Sequence, residues 1–474
     1  MKKIILPAIL GCLYLMWNHD APVNPQAPKV QPPNVIIILT DDQGYADVGF
    51  HGSKDIRTPN IDRIAKNGTV FTEGYVSYAV CGPSRAGLLT GRYQDRFGFG
   101  RNPLMAPNDP TMGLPLTEET MADLLKKANY STAVMGKWHM GAHPTLHPNK
   151  RGFDEFYGFL SGGHRYFPEE LTLKDLSEVK AQYDAYRTRL LHNTTRVEEK
   201  EYLTDALSRE AVRYIREKKD SPFFLYLAYN APHAPLQATE KYLSRYTDIK
   251  DTQRRTYAAM VSAVDDGVGG ILNTLEELKI DRNTIVFFLS DNGGPTQSNA
   301  SNNAPLRGNK GDFFEGGVRV PFAVQWPGKI PAGAQYSEPV ISLDIFATAA
   351  AMANVTPKNP IDGVNLMPYL NGTDKGAPHD YLYWRNFDQK RLALRSRDAK
   401  MITQPLNDFL FQIKTDIGEK NNLAKQDTKA LDQLKTKAAL WNKQLLDPIF
   451  LGLLQDEEYS KSHPGRYKFV EDFD

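Results

Sequence analysis

The chain has 474 residues, a formal net charge of +1, 41% hydrophobic residues and 24% charged residues. That length supports a large core and two domains, and the composition is that of a folded globular protein rather than a disordered or membrane-embedded one. A charge so close to zero gives no reason to expect nucleic acid as a partner, because phosphate tracking needs concentrated Lys and Arg, so any preference for anions must be local.

Met1-Lys2-Lys3 followed by the apolar run Ile4 to Leu10 reads as an export signal over residues 1–18, too short to be a membrane span. Ile9-Leu10-Gly11-Cys12 has the form of a lipoprotein signal box, which predicts membrane attachment through a lipidated Cys12. The apolar run Leu13-Tyr14-Leu15-Met16-Trp17 departs from the small or polar residues expected after such a cysteine, so soluble export and an uncleaved anchor stand as the other two outcomes. In each case the protein is exported, to the periplasm or the cell surface. Residues 19–33, rich in Pro, Asn and Gln, read as a tether. Cys12 and Cys81 are the two cysteines of the chain, and no structural disulfide is expected.

The folded body should begin at Asn34. Val35 to Leu39 is a continuous β-branched run, suited to a strand buried on both faces, and it ends in Thr40-Asp41-Asp42. Residues 117–126 carry a capping Thr and apolar positions at helical spacing. Thr132 to Met135 is the next strand, ending in Gly136-Lys137-Trp138-His139. A charged helix over residues 204–219 precedes the buried strand Phe223 to Ala228, which leads into Asn230-Ala231-Pro232-His233-Ala234-Pro235. Ile285 to Leu289 repeats the first pattern and ends in Ser290-Asp291-Asn292. The alternation predicts an α/β fold with a central sheet flanked by helices over residues 34–362, with its site at the carboxyl ends of the strands. Past Asp362 the texture changes. Short strands near 381–384, 392–395, 400–402 and 409–413, then a helix near 430–446, predict a smaller C-terminal unit over residues 363–474 with an antiparallel sheet and a helix.

Asp41, Asp42, Asp291 and Asn292 offer hard oxygen ligands without imidazole, which suits Ca²⁺ or Mg²⁺ rather than Zn²⁺. The dozen residues Cys81-Gly82-Pro83-Ser84-Arg85-Ala86-Gly87-Leu88-Leu89-Thr90-Gly91-Arg92 resemble the signature of the type I sulfatases. Gly136 to His139, Asn230 to Pro235, Leu306 to Pro321 and the turn Phe411 to Leu423 also resemble that family's segments, so the resemblance spans residues 34–423. It implies an alkaline-phosphatase-like fold for the large domain and a maturing enzyme that converts Cys81 to formylglycine. The hydrated aldehyde is an oxygen nucleophile whose sulfated form expels sulfate by collapsing back to the aldehyde, without attack on a second sulfate ester. The resemblance further implies Ca²⁺, ahead of Mg²⁺, on Asp41, Asp42, Asp291, Asn292 and the residue at 81. Arg85 would hold the formylglycine, Lys137 and Lys310 the sulfate oxygens. His139 would take the diol proton, and His233 would protonate the departing sugar oxygen.

Residues 92–102 and 158–166 resemble segments of bacterial carbohydrate sulfatases acting on algal galactans such as carrageenan, which implies a sulfated carbohydrate as substrate, with galactose 4-sulfate as the expected ester. Within them Arg101, His164 and Arg165 are the expected contacts to further sulfates or sugar oxygens. The competing functions are a glycosaminoglycan N-acetylgalactosamine 4-sulfatase, a phosphodiesterase or phosphonate hydrolase of the same superfamily, and a non-catalytic sulfated-glycan binder if Cys81 is not matured.

Overall fold

The computed structural model describes residues 31–468. The export signal, Cys12 and most of the tether therefore lie outside the described residues. Four parallel strands, β1 (Asn34–Thr40), β2 (Ser131–Lys137), β3 (Phe223–Ala228) and β4 (Thr284–Ser290), lie side by side in the order β4-β1-β3-β2. Beyond β2 come a further parallel strand, Glu155–Phe159, and two antiparallel ones, while antiparallel β5 (Phe322–Gln325) lies next to β4, all within a mixed ten-stranded sheet.

β1 shows why its run is apolar throughout. Val35, Ile37 and Leu39 enter one hydrophobic cluster while Ile36 and Ile38 enter another, so both faces are covered. The first face is packed by helix α1 (Cys81–Thr90) through Leu88 and Leu89 and by helix Leu343–Ala353 through Ile345 and Phe346. Against the second face lie helix Leu203–Lys218 and the 26-residue helix Thr252–Glu277. The longer one buries Tyr257, Met260, Val261, Val264, Val268, Ile271, Leu272 and Leu275 at three- and four-residue intervals, the stripe that helical periodicity demands.

The helix expected over residues 117–126 begins only at Met121. Thr120 is its cap: the hydroxyl accepts the Asp123 N–H and the Asp123 carboxylate accepts the Thr120 N–H, each at 3.1 Å. That reciprocal pair fixes the start of the helix and leaves Thr117 to Glu119 outside it.

The C-terminal sheet is antiparallel, β6 (Tyr381–Asn386), β7 (Arg391–Ser396), β8 (Ala399–Thr403) and β9 (Asp408–Gln412), in sequence order. Helix Thr428–Asn442 covers one face through Leu431, Leu434 and Ala438. The other face, with Leu382, Trp384, Ile402 and Phe411, shares a cluster with Tyr75, Tyr78, Phe313 and Val318. Trp384 Nε1 also donates to the Val76 carbonyl at 2.8 Å. The small sheet is thus a wall behind the segments that carry Cys81 and Lys310, and the described residues from Pro32 on form one compact unit.

Candidate active site

The site is built at the carboxyl ends of the four parallel strands. Thr40 and Ser290 are paired across β1 and β4, so Asp41 and Asp42 emerge beside Asp291 and Asn292. Lys137 is the last residue of β2, and His139 follows with φ of 58°, a turn that swings its ring back over the sheet edge. His233 lies just beyond β3, and Cys81 is the first residue of α1. Neither pair of strands could place these groups alone. The parallel order brings together residues separated by up to 250 positions, such as Asp42 and Asn292.

Asp41, Asp42, Cys81 and Asp291 each present a ligand atom within 4.8 Å of the others, and all four are buried. Asn292 completes the set. Its Nδ2 donates to Asp42 Oδ1 at 2.7 Å, while its Oδ1 is buried without a hydrogen-bond partner. An orphaned buried oxygen facing three carboxylates fits a hard divalent cation, which would take that oxygen as a ligand and offset the carboxylate repulsion. That repulsion is visible in Asp291, whose carboxyl is raised to about 6 by burial and by the charge of Asp41. For Asp42, burial also opposes ionisation, but Lys310 and His233 outweigh it and hold the group near 2.

Cations ring the carboxylates. Arg85, fully buried, donates through Nε to Asp291 Oδ2 at 2.9 Å and through Nη1 to the Lys137 carbonyl at 3.2 Å. Lys137 Nζ sits 2.5 Å from Asp41 Oδ2, and Lys310 Nζ 2.8 Å from Asp42 Oδ2 and 3.3 Å from Cys81 Sγ. Sγ marks where an oxygen on the converted side chain would begin. As a thiol, Cys81 is pushed up to about 12 by burial and by Asp41, far from the depressed range in which cysteine nucleophiles work.

Burial pushes both site histidines toward the neutral form. His233 Nδ1 lies 2.5 Å from the Ala234 carbonyl, and a carbonyl only accepts, so that nitrogen carries the proton and Nε2, 3.6 Å from Asp42 Oδ2, faces the site. Burial lowers its pKa to about 3, with Asp42 opposing. His139 is lowered further, by burial and then by Lys137 and Arg85, and its Nδ1 has no partner. Gly162 makes room for it: a Cβ there would meet His139 Nε2 at 2.7 Å.

The expected sugar contacts divide. His164 is fully buried with Nδ1 at 3.0 Å from the Arg165 carbonyl and Nε2 at 2.9 Å from the Thr188 carbonyl. A neutral ring donates to one of these carbonyls only, but both nitrogens face backbone inside the fold, so His164 is buried under its own loop with no surface for a sugar. Arg101 is not free to meet a second sulfate either, because Asp388 grips its guanidinium at 3.0 and 2.5 Å. Arg165 keeps an accessible side chain, 4.0 Å from Glu170. The residue missed by sequence reasoning is Tyr186. Its phenol is raised by burial and then by Cys81, and its ring lies over Gly163, where a Cβ would meet it at 2.7 Å. It comes from a short turn, Gln182–Arg187, that carries no motif.

The family model "Sulfatase" matches residues 33–355, and one described as "N-sulphoglucosamine sulphohydrolase, C-terminal" matches residues 309–444. The chain belongs to the sulfatase family. Human N-acetylgalactosamine-6-sulfatase is 37% identical over 357 residues, 72% of this chain and 66% of the relative, so the match spans just under two thirds of that protein. The crystal structure of Ps i-CgsB is 40% identical with a TM-score of 0.84, covering 92% of this chain and 98% of that one. A second structure of it, in complex with k-i-k-neocarrahexaose, aligns with a TM-score of 0.83. The phosphonate monoester hydrolase of Agrobacterium radiobacter, 20% identical with a TM-score of 0.63, shares the fold.

Proposed function

We propose that this sulfatase releases inorganic sulfate from a sulfated galactan, with carrageenan galactose 4-sulfate as the ester and residue 81 acting as formylglycine. The observation that carries the reaction class is the convergence of Lys137, Lys310, Arg85, His139 and His233 on Cys81 above the cradle of Asp41, Asp42, Asp291 and Asn292. Formylglycine would supply a geminal diol oxygen for in-line attack at sulfur, and Asp41, Asp42, Asp291 and Asn292 would hold Ca²⁺, whose charge would offset that of the sulfate. Lys137 and Lys310, each now paired with an aspartate, turn to the sulfate oxygens when the ester enters. Arg85 stays fixed and keeps Asp291 ionised. His139 takes the proton of the remaining hydroxyl of the sulfated diol, so that the C–O bond to sulfate breaks as the aldehyde reforms. His233, with Nε2 facing the site, gains its proton beside the bound anion and passes it to the departing sugar oxygen.

The substrate reading is supported by the 40% identical Ps i-CgsB, whose complex holds k-i-k-neocarrahexaose. A second reading, a glycosaminoglycan galactosamine sulfatase, is favoured by the 37% identity to N-acetylgalactosamine-6-sulfatase. Export to the periplasm or cell surface, with or without a lipid on Cys12, belongs to the same reading, as does the division into residues 34–362 and 363–474. Sulfate release from carrageenan, other algal galactan, fucan and chondroitin or dermatan oligosaccharides separates the two substrates. Release from carrageenan supports the first, and release from chondroitin or dermatan alone replaces it with the second.

A further inference from the structure

A cleft of about 170 Å³ lies beside the site, lined by Val80 and Gly311, the chain neighbours of Cys81 and Lys310, and by Asn102, whose Oδ1 accepts the Gly82 N–H at 2.8 Å. The cleft thus begins one residue away from both Cys81 and Lys310, on the side of the C-terminal sheet. Its outer wall is made by the β6–β7 turn, with Asp388 and Gln389, and by the segment holding Gln455.

Arg101 is the arginine of the cleft, and its guanidinium is fully committed. Nε and Nη2 reach the two oxygens of Asp388 at 3.0 and 2.5 Å, and Nη1 donates to the Phe450 carbonyl at 2.9 Å. Its stem is pinned as well, since a Cβ on Gly452 would lie 2.6 Å from Arg101 Cβ. Gln455 Nε2 adds a contact to Asp388 at 3.4 Å. The cations that would greet an anion are therefore neutralised, and what remains is amide. Asn102 accepts the Gly82 N–H at 2.8 Å through Oδ1, and Gln389 accepts from Asn386 through Oε1 at 3.3 Å. The amide nitrogens of Asn102 and Gln389 have no protein acceptor among the described residues. Neutral amide donors beside a carboxylate match hydroxyl and ether oxygens and disfavour a sulfate.

From this we infer that the cleft is a subsite for the sugar next to the scissile ester, read as an uncharged ring, so that the protein discriminates against a second sulfate on that neighbour. The inference rests on the carbohydrate sulfatase reading above and assigns Asp388 and Gln389 as its specificity residues.

The test uses two carrageenan tetrasaccharides that carry the same galactose 4-sulfate and differ only by a sulfate on the neighbouring sugar. Binding to the Cys81→Ser protein by calorimetry is compared with sulfate release by the matured protein. The singly sulfated neighbour pair should bind at least about tenfold more tightly than its further-sulfated counterpart. Asp388→Asn, which frees Arg101 without changing shape, should narrow that ratio to below about threefold, and Gln389→Ala should weaken the preferred ligand. Equal or tighter binding of the further-sulfated ligand, or an unchanged ratio in Asp388→Asn, overturns the inference. Selective binding without sulfate release by matured protein upholds the subsite while removing the proposed activity.

Discussion

Lys400 Nζ lies 2.7 Å from Glu315 Oε1, and neither side chain has any exposed surface. Glu419 joins them, with Oε1 at 3.3 Å from Lys400 and Oε2 accepting the Glu315 backbone N–H at 2.7 Å. Arg307 Nη1 donates to the Glu419 carbonyl at 2.9 Å. The segment from Arg307 to Glu315, which carries Lys310, is therefore clamped at both ends by the C-terminal sheet and its following turn. Lys400→Met removes the buried cation between Glu315 and Glu419, leaving Glu315 only its 3.2 Å pair with Arg319, and should cost on the order of 3–5 kcal/mol of stability by denaturant unfolding. An unchanged unfolding midpoint contradicts the clamp.

The same cluster sets a pH dependence. Burial raises the Glu419 carboxyl to about 7 from a reference of 4.5, Lys400 opposing and Glu315 adding to the rise. Between those values the folded chain holds a proton that the unfolded chain releases, so this group's stabilisation is full below 4.5 and is lost as pH rises through 7. Glu419→Gln should remove a slope on the order of 1–3 kcal/mol across that window. Glu315, held near 2 because Lys400 and Arg319 overcome its burial, acts with the opposite sign and only below 4.5. Chemical denaturation of both proteins at pH 4.5, 6 and 7.5 measures the difference.

Chelation should abolish turnover and lower thermal stability, since Asp41, Asp42 and Asp291 then face one another with only Arg85, Lys137 and Lys310 between them. Ca²⁺ should restore both, and Asn292→Ala, which deletes the orphaned oxygen, should raise the Ca²⁺ concentration needed for half-restoration by about 10- to 100-fold. Titration of the chelated protein with Ca²⁺ and Mg²⁺ while following unfolding temperature gives the ranking of the two ions.

Lys310→Ala and Lys137→Ala should each lower sulfate release by about a hundred- to a thousand-fold while leaving the fold intact, because each removes one preorganised donor to the anion. Normal release by Lys310→Ala contradicts its placement 3.3 Å from Cys81 Sγ as a functional one.

His233→Asn should reveal the acid. Its effect on a sugar ester, with a poor leaving group, should be about 10²- to 10⁴-fold, and its effect on an aryl sulfate, which departs without a proton, should be far smaller. Equal losses on the two esters contradict the assignment of Nε2 as the proton donor.

Much of this site was legible because its residues end apolar runs. Asp41, Asp42, Asp291 and Asn292 each follow a continuous apolar run, Lys137 and His233 stand at the ends of two more and take their roles from the family resemblance, and parallel pairing brings all six together. The sugar side was not legible in the same way. His164 and Arg101 look like anion binders in one dimension, yet one is sealed by two backbone carbonyls and the other by Asp388, 287 positions away. Tyr186 and Glu419 escaped assignment for the converse reason: an irregular turn has no period, and only tertiary packing gives their side chains a neighbour worth noting.

The central claim is that residue 81 works as formylglycine. Protein co-produced with a formylglycine-generating enzyme should show, in the Cys81 peptide, the mass change for loss of sulfur and two hydrogens and gain of one oxygen. Sulfate release from carrageenan oligosaccharide should rise in proportion to that converted fraction and vanish in Cys81→Ser. Full release by protein whose residue 81 is entirely unconverted cysteine would contradict the account.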